Sequence, residues 1–346
     1  MTLFKKIATI TDIHFGRGGN SPIANNDNIE FIKWFIEEAK TWGADCIGVL
    51  GDWHDSRYSI QLGTLDSSLL GMELLSEAFD NVYFITGNHD LMYRDKRDVA
   101  STIFAKNVPN LTFINQPLTL GKGKDSVTFL PWLVGDERRL LREIPSRYIF
   151  AHAELNGGFY MNSKVIMPDH ENGASVEDFG KADYLFTGHF HFRQHKRNVI
   201  YTGNIMPFDF ADDWDDDRGA MFLAWGCEPE FRAWPDQPSF RTMLLSELVD
   251  NPNKFLKPKL TARVTMDVDL SYEHIQVIKE EFTKGYGLRR LELIEQKSTA
   301  HTEANDTLKD VKFQTVDQIV FESIDKLESD EFDSHTLREI YIDCHE

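Results

Sequence analysis

Cysteine is scarce: Cys46, Cys227 and Cys344 are the only three in 346 residues, far apart and with no C-x-x-C pair. That excludes a disulfide framework and a zinc ribbon, and leaves the thiols as buried or incidental groups. Long apolar runs are missing too. Nothing approaches the roughly 20 residues needed to cross a bilayer, and Met1 to Gly16 lacks the apolar core of a signal peptide, so a soluble, cytoplasmic protein without membrane contact is expected. Positive charge is in deficit, with 37 Lys and Arg against 56 Asp and Glu and a formal net charge of -19. Such a surface does not adhere to nucleic acid through general basicity. Carboxylates that hold cations, however, count as negative in the sum but not in the loaded protein, so acidity leaves a DNA substrate open. The stretch GKGKDS at 121–126 misses the spacing of a phosphate-binding loop and reads as a hairpin turn. Gly285-Tyr286-Gly287 reads as a helix terminus, and the absence of G-x-S-x-G excludes a serine-hydrolase elbow.

What is present is a globular composition, 41% hydrophobic and 12% aromatic, in a chain long enough for one large domain and one or two smaller units. Over the first 210 residues strands and helices alternate. FKKIATIT, DCIGVL, NVYFIT, RYIFA and ADYLFT are strand-like, and NIEFIKWFIEEAKTW is a helix ending at Gly43. All tryptophans lie at or before Trp234, and a proline-rich polar stretch follows, which places a boundary near 235–260. Beyond it ARVTMDVDL reads as a strand, SYEHIQVIKEEFTKGYG as a helix with Ser271 as N-cap, and LRRLELIEQ as a second strand. The expected organisation is a main domain over 1–245, a small α/β capping domain over 255–298, a polar linker over 299–312 and a helical tail over 313–346. In the tail Val316, Ile319, Val320, Ile324 and Leu327 recur at helical spacing, which suits either packing on the chain itself or docking to a partner helix.

Each of the five apolar runs ends in side chains suited to binding metal. The first leads into Asp12 and His14, the second into Gly51-Asp52, the third into Gly87-Asn88-His89-Asp90, the fourth into His152, and the fifth into Gly188-His189-Phe190-His191. Ligands of open α/β sheets bind outside the carboxyl ends of the strands, where these residues would converge. Asp12, Asp52 and Asn88 offer hard oxygens; His14, His152, His189 and His191 offer imidazole nitrogens. Mixed nitrogen and oxygen sets suit Mn, Fe or Zn better than Mg or Ca. Seven donors exceed one tetrahedral site, so two ions sharing a carboxylate are expected. Such a pair activates water near neutral pH and neutralises charge on a phosphate.

In order and spacing these blocks resemble the five signatures of the calcineurin-like metallophosphoesterases, whose fold is a β-sandwich flanked by helices. With FAHAELNGGFY, VIYTGNIMPFDF and DDRGAMFL following the motifs, the chain is most similar to the SbcD family of DNA-repair nucleases and its phage recombination-endonuclease branch. The resemblance implies that Asp12, His14, Asp52 and His191 hold one divalent ion, and Asp52, Asn88, His152 and His189 the other, with Mn favoured and Mg, Fe or Zn as alternatives. It implies that His89 faces the scissile phosphate as general acid or charge stabiliser and that Asp90 orients His89 by hydrogen bonding. It further implies a metal-dependent DNA exonuclease and endonuclease acting in recombination and repair, controlled by a coiled-coil ATPase partner of the SbcC type, with the tail as docking element; a homodimer is expected. The rival enzymatic reading is a general phosphoesterase acting on phosphoproteins or small phosphodiesters. A non-catalytic scaffold is disfavoured by the intact donor set.

One departure concerns the second block, where Asp55 stands at a position that is histidine in some family members and His54 where an apolar residue is common. His54 is read as a structural or supporting histidine. Basic side chains near the site, Arg138, Arg139 and Arg142 in one segment and Arg193, Lys196 and Arg197 directly after His191, are candidates for positioning a DNA backbone. The acidic run from Asp212 to Asp217 is read as a solvated loop rather than a cation site.

Overall fold

Twelve of the first fourteen strands among the described residues build two six-stranded sheets, and the other two pair with each other. In order these are β1 (Lys6–Ile10), β2 (Cys46–Leu50), β3 (Val82–Ile85), β4 (Leu111–Ile114), β5 (Leu118–Leu120), β6 (Val127–Leu130), β7 (Tyr148–His152), the short pair β8 (Leu155–Asn156) and β9 (Ala174–Ser175), β10 (Tyr184–Gly188), β11 (Gln194–Lys196), β12 (Val199–Tyr201), β13 (Gly219–Ala224) and β14 (Glu230–Ala233). The computed structural model describes residues 2–295 apart from 136, 138–140, 142, 143, 162–164, 170–173, 180 and 269, together with 324, 333 and 336–338. The expected linker and most of the expected docking tail, as well as Arg138, Arg139 and Arg142, lie outside the described residues.

One sheet runs β14-β13-β1-β2-β3-β4 and the other β11-β12-β10-β7-β6-β5. The centre of each is parallel, β1 to β4 in the first and β6, β7, β10 and β12 in the second, with antiparallel strands at the edges. The strands read as nearly unbroken apolar runs because both faces of each sheet are covered. Along β7 the period of two is plain: Tyr148 and Phe150 join the core between the sheets with Ile7, Leu50, Phe129 and Phe186, while Ile149 and Ala151 join the outer core with Leu185, Tyr201 and Phe159. The outer face of the first sheet is closed by the helices Pro22–Trp42 and Leu62–Ala78 through Phe31, Ile32, Phe35, Met72 and Leu75. The first helix starts where Ser21 accepts from the Ala24 N–H and Pro22 takes the first helical position, and it ends on Gly43 at φ 84. The second was not singled out in the sequence. The observed architecture is thus the expected one, a mixed α/β fold of sheets flanked by helices.

A third sheet, parallel throughout, runs β15 (Ser239–Leu244), β16 (Leu260–Met266), β17 (Arg290–Glu295). The helix Tyr272–Gly285 connects its last two strands, and Ser271 caps that helix by accepting from the His274 N–H. The strand Ser239–Leu244, grouped with the first 245 residues in the sequence, pairs here along its whole length with β16. No helix among the described residues is long and apolar enough to cross a membrane.

The reading of Asp212 to Asp217 as a solvated run is overturned. Asp212 is buried and, with Asp215, pairs to Arg218, a guanidinium only 1% exposed that also donates to Asn204 and to the His191 carbonyl. Asp213 accepts from the Thr242 N–H at 3.0 Å, Asp216 binds Arg241 and Lys257, and Asp217 pairs with Arg193. Consecutive carboxylates repel when left in water, but here Asp212 and Asp215 share Arg218 while Asp213, Asp216 and Asp217 each turn to another cation or N–H, and together they tie the third sheet to the chain around His191. Burial opposes the Asp216 charge, yet the hydrogen bonds from Arg241 and Lys257 hold its carboxyl below the usual range. A depressed folded-state pKa contributes stability above the unfolded value, lost as pH falls through the folded one. Asp216→Asn is therefore expected to cost about 1 kcal/mol near pH 7, the gap to wild type in urea unfolding closing as pH drops below about 4.

Candidate metal centre

The backbone turns out of the sheets in a conformation that L-residues avoid. Asp12, His14, Asp52 and His189 have φ of 53, 52, 51 and 95, and such positions cost on the order of 1–3 kcal/mol each, so they persist only where surroundings fix them. The fixing bonds are between strand ends: the Asp12 N–H donates to the Gly51 carbonyl at 3.1 Å, His14 to Asp52 at 3.1 Å and Phe15 to Trp53 at 2.8 Å. β1 and β2 thus travel together beyond the sheet and deliver Asp12, His14 and Asp52 side by side. The glycines of the motifs are explained by close approach. A Cβ on Gly87 would stand 2.1 Å from Asp52 Oδ1, and one on Gly188 would stand 2.0 Å from Thr11 Oγ1 and 2.7 Å from Asp12 Oδ2.

All seven residues nominated for metal are brought together. Asp12, His14 and His191 form one cluster and Asp52, His152 and His189 another, each with donor atoms within 4.8 Å of one another. Asn88 Oδ1 faces the second cluster, 3.0 Å from His152 Nε2 and 2.9 Å from His189 Nδ1. Asp52 joins the two: its Oδ2 lies 3.3 Å from His152 Nε2 and 3.8 Å from His14 Nε2, while its Oδ1 accepts the His89 N–H at 2.8 Å. Supporting bonds set the orientations. His152 Nδ1 donates to the Leu50 carbonyl at 2.8 Å and so turns Nε2 inward. Asp12 accepts from Thr11 Oγ1 at 2.8 Å and from the His189 N–H at 3.1 Å.

Charge is packed densely here. Burial opposes ionisation of Asp12, but His14, His152 and His191 around it hold the carboxyl down to about 2, and Asp52 is likewise held low against burial by His152 and His14. Burial would strip the proton from His14 and His152, yet the carboxylates overrule it and raise them to about 10 and about 9. Two protonated imidazoles thus offset two buried carboxylates, a task that divalent cations can take over. Neither ring nitrogen of the buried His14 makes a well-formed hydrogen bond, and an imidazole so placed suits a metal. The donor set therefore fits divalent ions.

Residues 5–193 match the family model described as calcineurin-like phosphoesterase. The chain belongs to the calcineurin-like phosphoesterase family. The family is one of divalent-metal phosphoesterases, and this chain carries clusters of His and Asp suited to such ions. Exonuclease subunit 1 of enterobacteria phage T4 is 26% identical over 219 residues, which cover 62% of this chain and 63% of that protein. The match spans less than two thirds of the relative. Among solved structures, TT1561 of Thermus thermophilus gives a TM-score of 0.40 at 12% identity, covering 66% of this chain and 99% of that one. The phosphoesterase YfcE from E. coli gives 0.36 at 12% identity, covering 67% and 94%. Neither score is high enough to speak to the fold, which the strand order itself defines.

Around the family's metal-binding motifs the remaining nominated residues sort differently. Asp90 does not orient His89. It is fully buried and accepts from the N–H groups of Trp53 at 3.0 Å, His54 at 3.1 Å and Gly87 at 2.8 Å, so it ties the second and third motif loops together; burial and the nearby Asp52 raise it to about 7. The His89 ring is held instead by the Asp55 carbonyl, 2.7 Å from Nδ1, and the Asp55 carboxylate lies 3.2 Å from His14 Nδ1. Asp55 therefore steadies two imidazoles at once. His54 is buried between Ser101 at 2.9 Å and Ser68 at 2.8 Å, with burial lowering it to about 3, a structural histidine as read. Arg193 pairs with Asp217, Lys196 donates to the Gly157 carbonyl at 2.7 Å, and Arg197 pairs with Glu177 at 2.9 Å. All three are engaged within the chain.

A cavity of about 370 Å3 beside Asp52, His89 and His189 is lined by residues the motif reading missed, Arg57, Arg94, Trp132 and Glu154 among them. Glu154 Oε2 lies 3.4 Å from His189 Nε2. Its position two residues after His152, at the end of a strand, was the available signal; for Arg94 it was the basic stretch YRDKR at 93–97, and Trp132 comes from a loop with none. Because a Cβ at Gly87 collides with Asp52, Gly87→Ala is expected to destabilise the protein by about 1–3 kcal/mol, read as a lower urea midpoint with an unchanged slope.

Proposed function

We propose that the chain is a two-metal DNA nuclease, hydrolysing phosphodiesters as the nuclease subunit of a recombination and repair complex. The observation that carries this reading is the shared carboxylate: Asp52 Oδ2 faces both donor clusters, beside a cavity lined by His89. In this reading Asp12, His14, Asp52 and His191 hold one ion and Asp52, Asn88, His152 and His189 the second, with Mn the favoured metal. When bound, the ions supply an activated water as nucleophile and neutralise charge on the phosphate. Asp55 and Leu50 carbonyls fix the rings of His89 and His152, and Asp90 holds the loop carrying Asn88 and His89 in place.

Burial lowers the His89 pKa. With Nδ1–H committed to the Asp55 carbonyl, Nε2 carries a lone pair near neutral pH. An incoming phosphate raises the basicity of that nitrogen, and the proton gained there passes to the departing sugar oxygen. The printed name of the phage relative, an exonuclease subunit, supports DNA as substrate and a multi-subunit assembly. An SbcC-type ATPase partner docked on residues 313–346 belongs to the same proposal.

His89→Gln is expected to lower turnover of linear DNA with Mn by about 100-fold or more while leaving two Mn per chain by elemental analysis. Asp52→Asn should lose both metal and activity; retention of two ions in it would remove the bridging role. Because His14 and His152 are raised to about 10 and about 9, loading metal must expel their protons. Mn affinity should therefore rise with pH through the neutral range, and calorimetry in buffers of different ionisation enthalpy should show proton release; pH-independent affinity would contradict the ligand set.

A further inference from the structure

The cavity beside the two clusters has a divided lining, and we propose that it receives one unpaired nucleotide, its phosphate against Arg57 and Arg94 and its base against an apolar wall built on Trp132. This rests on the phosphodiesterase reading and names the form of the substrate. Arg57 and Arg94 both line the cavity. Neither guanidinium has a hydrogen bond or ion pair among the described residues, although the chain holds 56 carboxylates against 37 cationic side chains. Elsewhere several enclosed arginines are paired with carboxylates, Arg97 with Glu137, Arg218 with Asp212 and Asp215, and Arg241 with Asp216, whereas Arg17 has no ion pair among the described residues; of the two cavity arginines Arg57 is half-buried and Arg94 exposed. Burial and the neighbouring Arg94 both lower the Arg57 pKa. Two like charges kept together next to the metal clusters, with Asp52 and Glu154 in the same lining but paired to neither guanidinium among the described residues, suit an anion from outside, and guanidinium groups bind phosphate oxygens in pairs.

Trp132, in the same lining, is pinned from several directions. Its main-chain N–H donates to the Thr86 carbonyl at 2.8 Å and its indole N–H to the Arg94 carbonyl at 3.3 Å, while its own carbonyl accepts from Arg97 at 2.7 Å. The ring centroid lies 5.0 Å from that of His189. A ring so fixed loses little freedom on meeting a ligand, and aromatic faces bind any base because every base has a π-face. Met161 and Met167 extend the wall with side chains that adapt to different shapes. At about 370 Å3 the cavity is near the small end of ligand pockets. It has room for a single nucleotide, and a base laid against Trp132 is one drawn out of its stack.

The test uses the full chain with Mn and a single-stranded oligothymidylate, beside the same strand made abasic at the residue next to the scissile phosphate. Wild type is expected to show a KM about ten-fold or more lower with the base present. Trp132→Ala should lose that difference and Trp132→Phe keep it, which separates stacking from a folding defect. The double variant Arg57→Gln, Arg94→Gln should raise KM and flatten its salt dependence, by about 0.7 in the log–log slope per lost phosphate contact. The proposal is overturned if Trp132→Ala still discriminates the abasic strand, or if a phosphoserine peptide is hydrolysed faster than the oligonucleotide. Turnover of bis-p-nitrophenyl phosphate but not of DNA overturns it while sparing the phosphoesterase reading, whereas turnover of neither substrate brings down both.

Discussion

Everything around the site depends on keeping two fully buried carboxylates, Asp12 and Asp52, ionised within one small volume. A lone buried charge is prohibitive and a close like pair more so. The fold meets this with N–H groups aimed at the oxygens and with imidazoles crowded around them. The same arrangement makes a divalent cation welcome, since it replaces protons that the carboxylates otherwise force onto His14 and His152. Metal binding and the stability of this region are thus two aspects of one electrostatic constraint.

That constraint explains the backbone. Parallel strands ending at one edge bring their last residues within a few ångströms, but continuing them as regular β-structure would point alternate side chains to opposite faces. The left-handed turns at Asp12, His14, Asp52 and His189 redirect them, and the strand-end hydrogen bonds keep those turns from relaxing. Gly87 and Gly188 are required because carboxylate and hydroxyl oxygens occupy the space a side chain would take. Asp90 works behind this arrangement, joining the loops of the second and third motifs through main-chain N–H groups.

A second network extends from the site toward the third sheet. Arg218 reaches the carbonyl of His191 with one nitrogen and two carboxylates of the acidic run with another. Asp213 and Asp216 in turn hold Thr242, Arg241 and Lys257. The conformation of the His191 segment and the seating of the small sheet therefore share a set of buried ion pairs, whose partial loss leaves uncompensated charge.

The sequence by itself determined the strands of the two main sheets that carry the motifs, the flanking helix that ends at Gly43, and the seven candidate ligands that fold together beside His89. Apolar period and strand-end polar residues are local properties, readable wherever both faces of a strand are buried. Only the tertiary structure decided what those residues hold and what holds them. Asp55, through its carbonyl, and not Asp90 holds the His89 ring because a hydrogen bond depends on where main-chain groups lie in space and not on sequence distance. The run from Asp212 to Asp217 became a set of ion pairs, the deepest at Arg218, because Arg193, Arg241 and Lys257 come to it from other segments and Arg218 beside it is buried. Arg57 and Trp132 were illegible for the same reason, and Arg94 was legible only as part of the basic stretch at 93–97: a cavity wall is made by elements that meet only after folding.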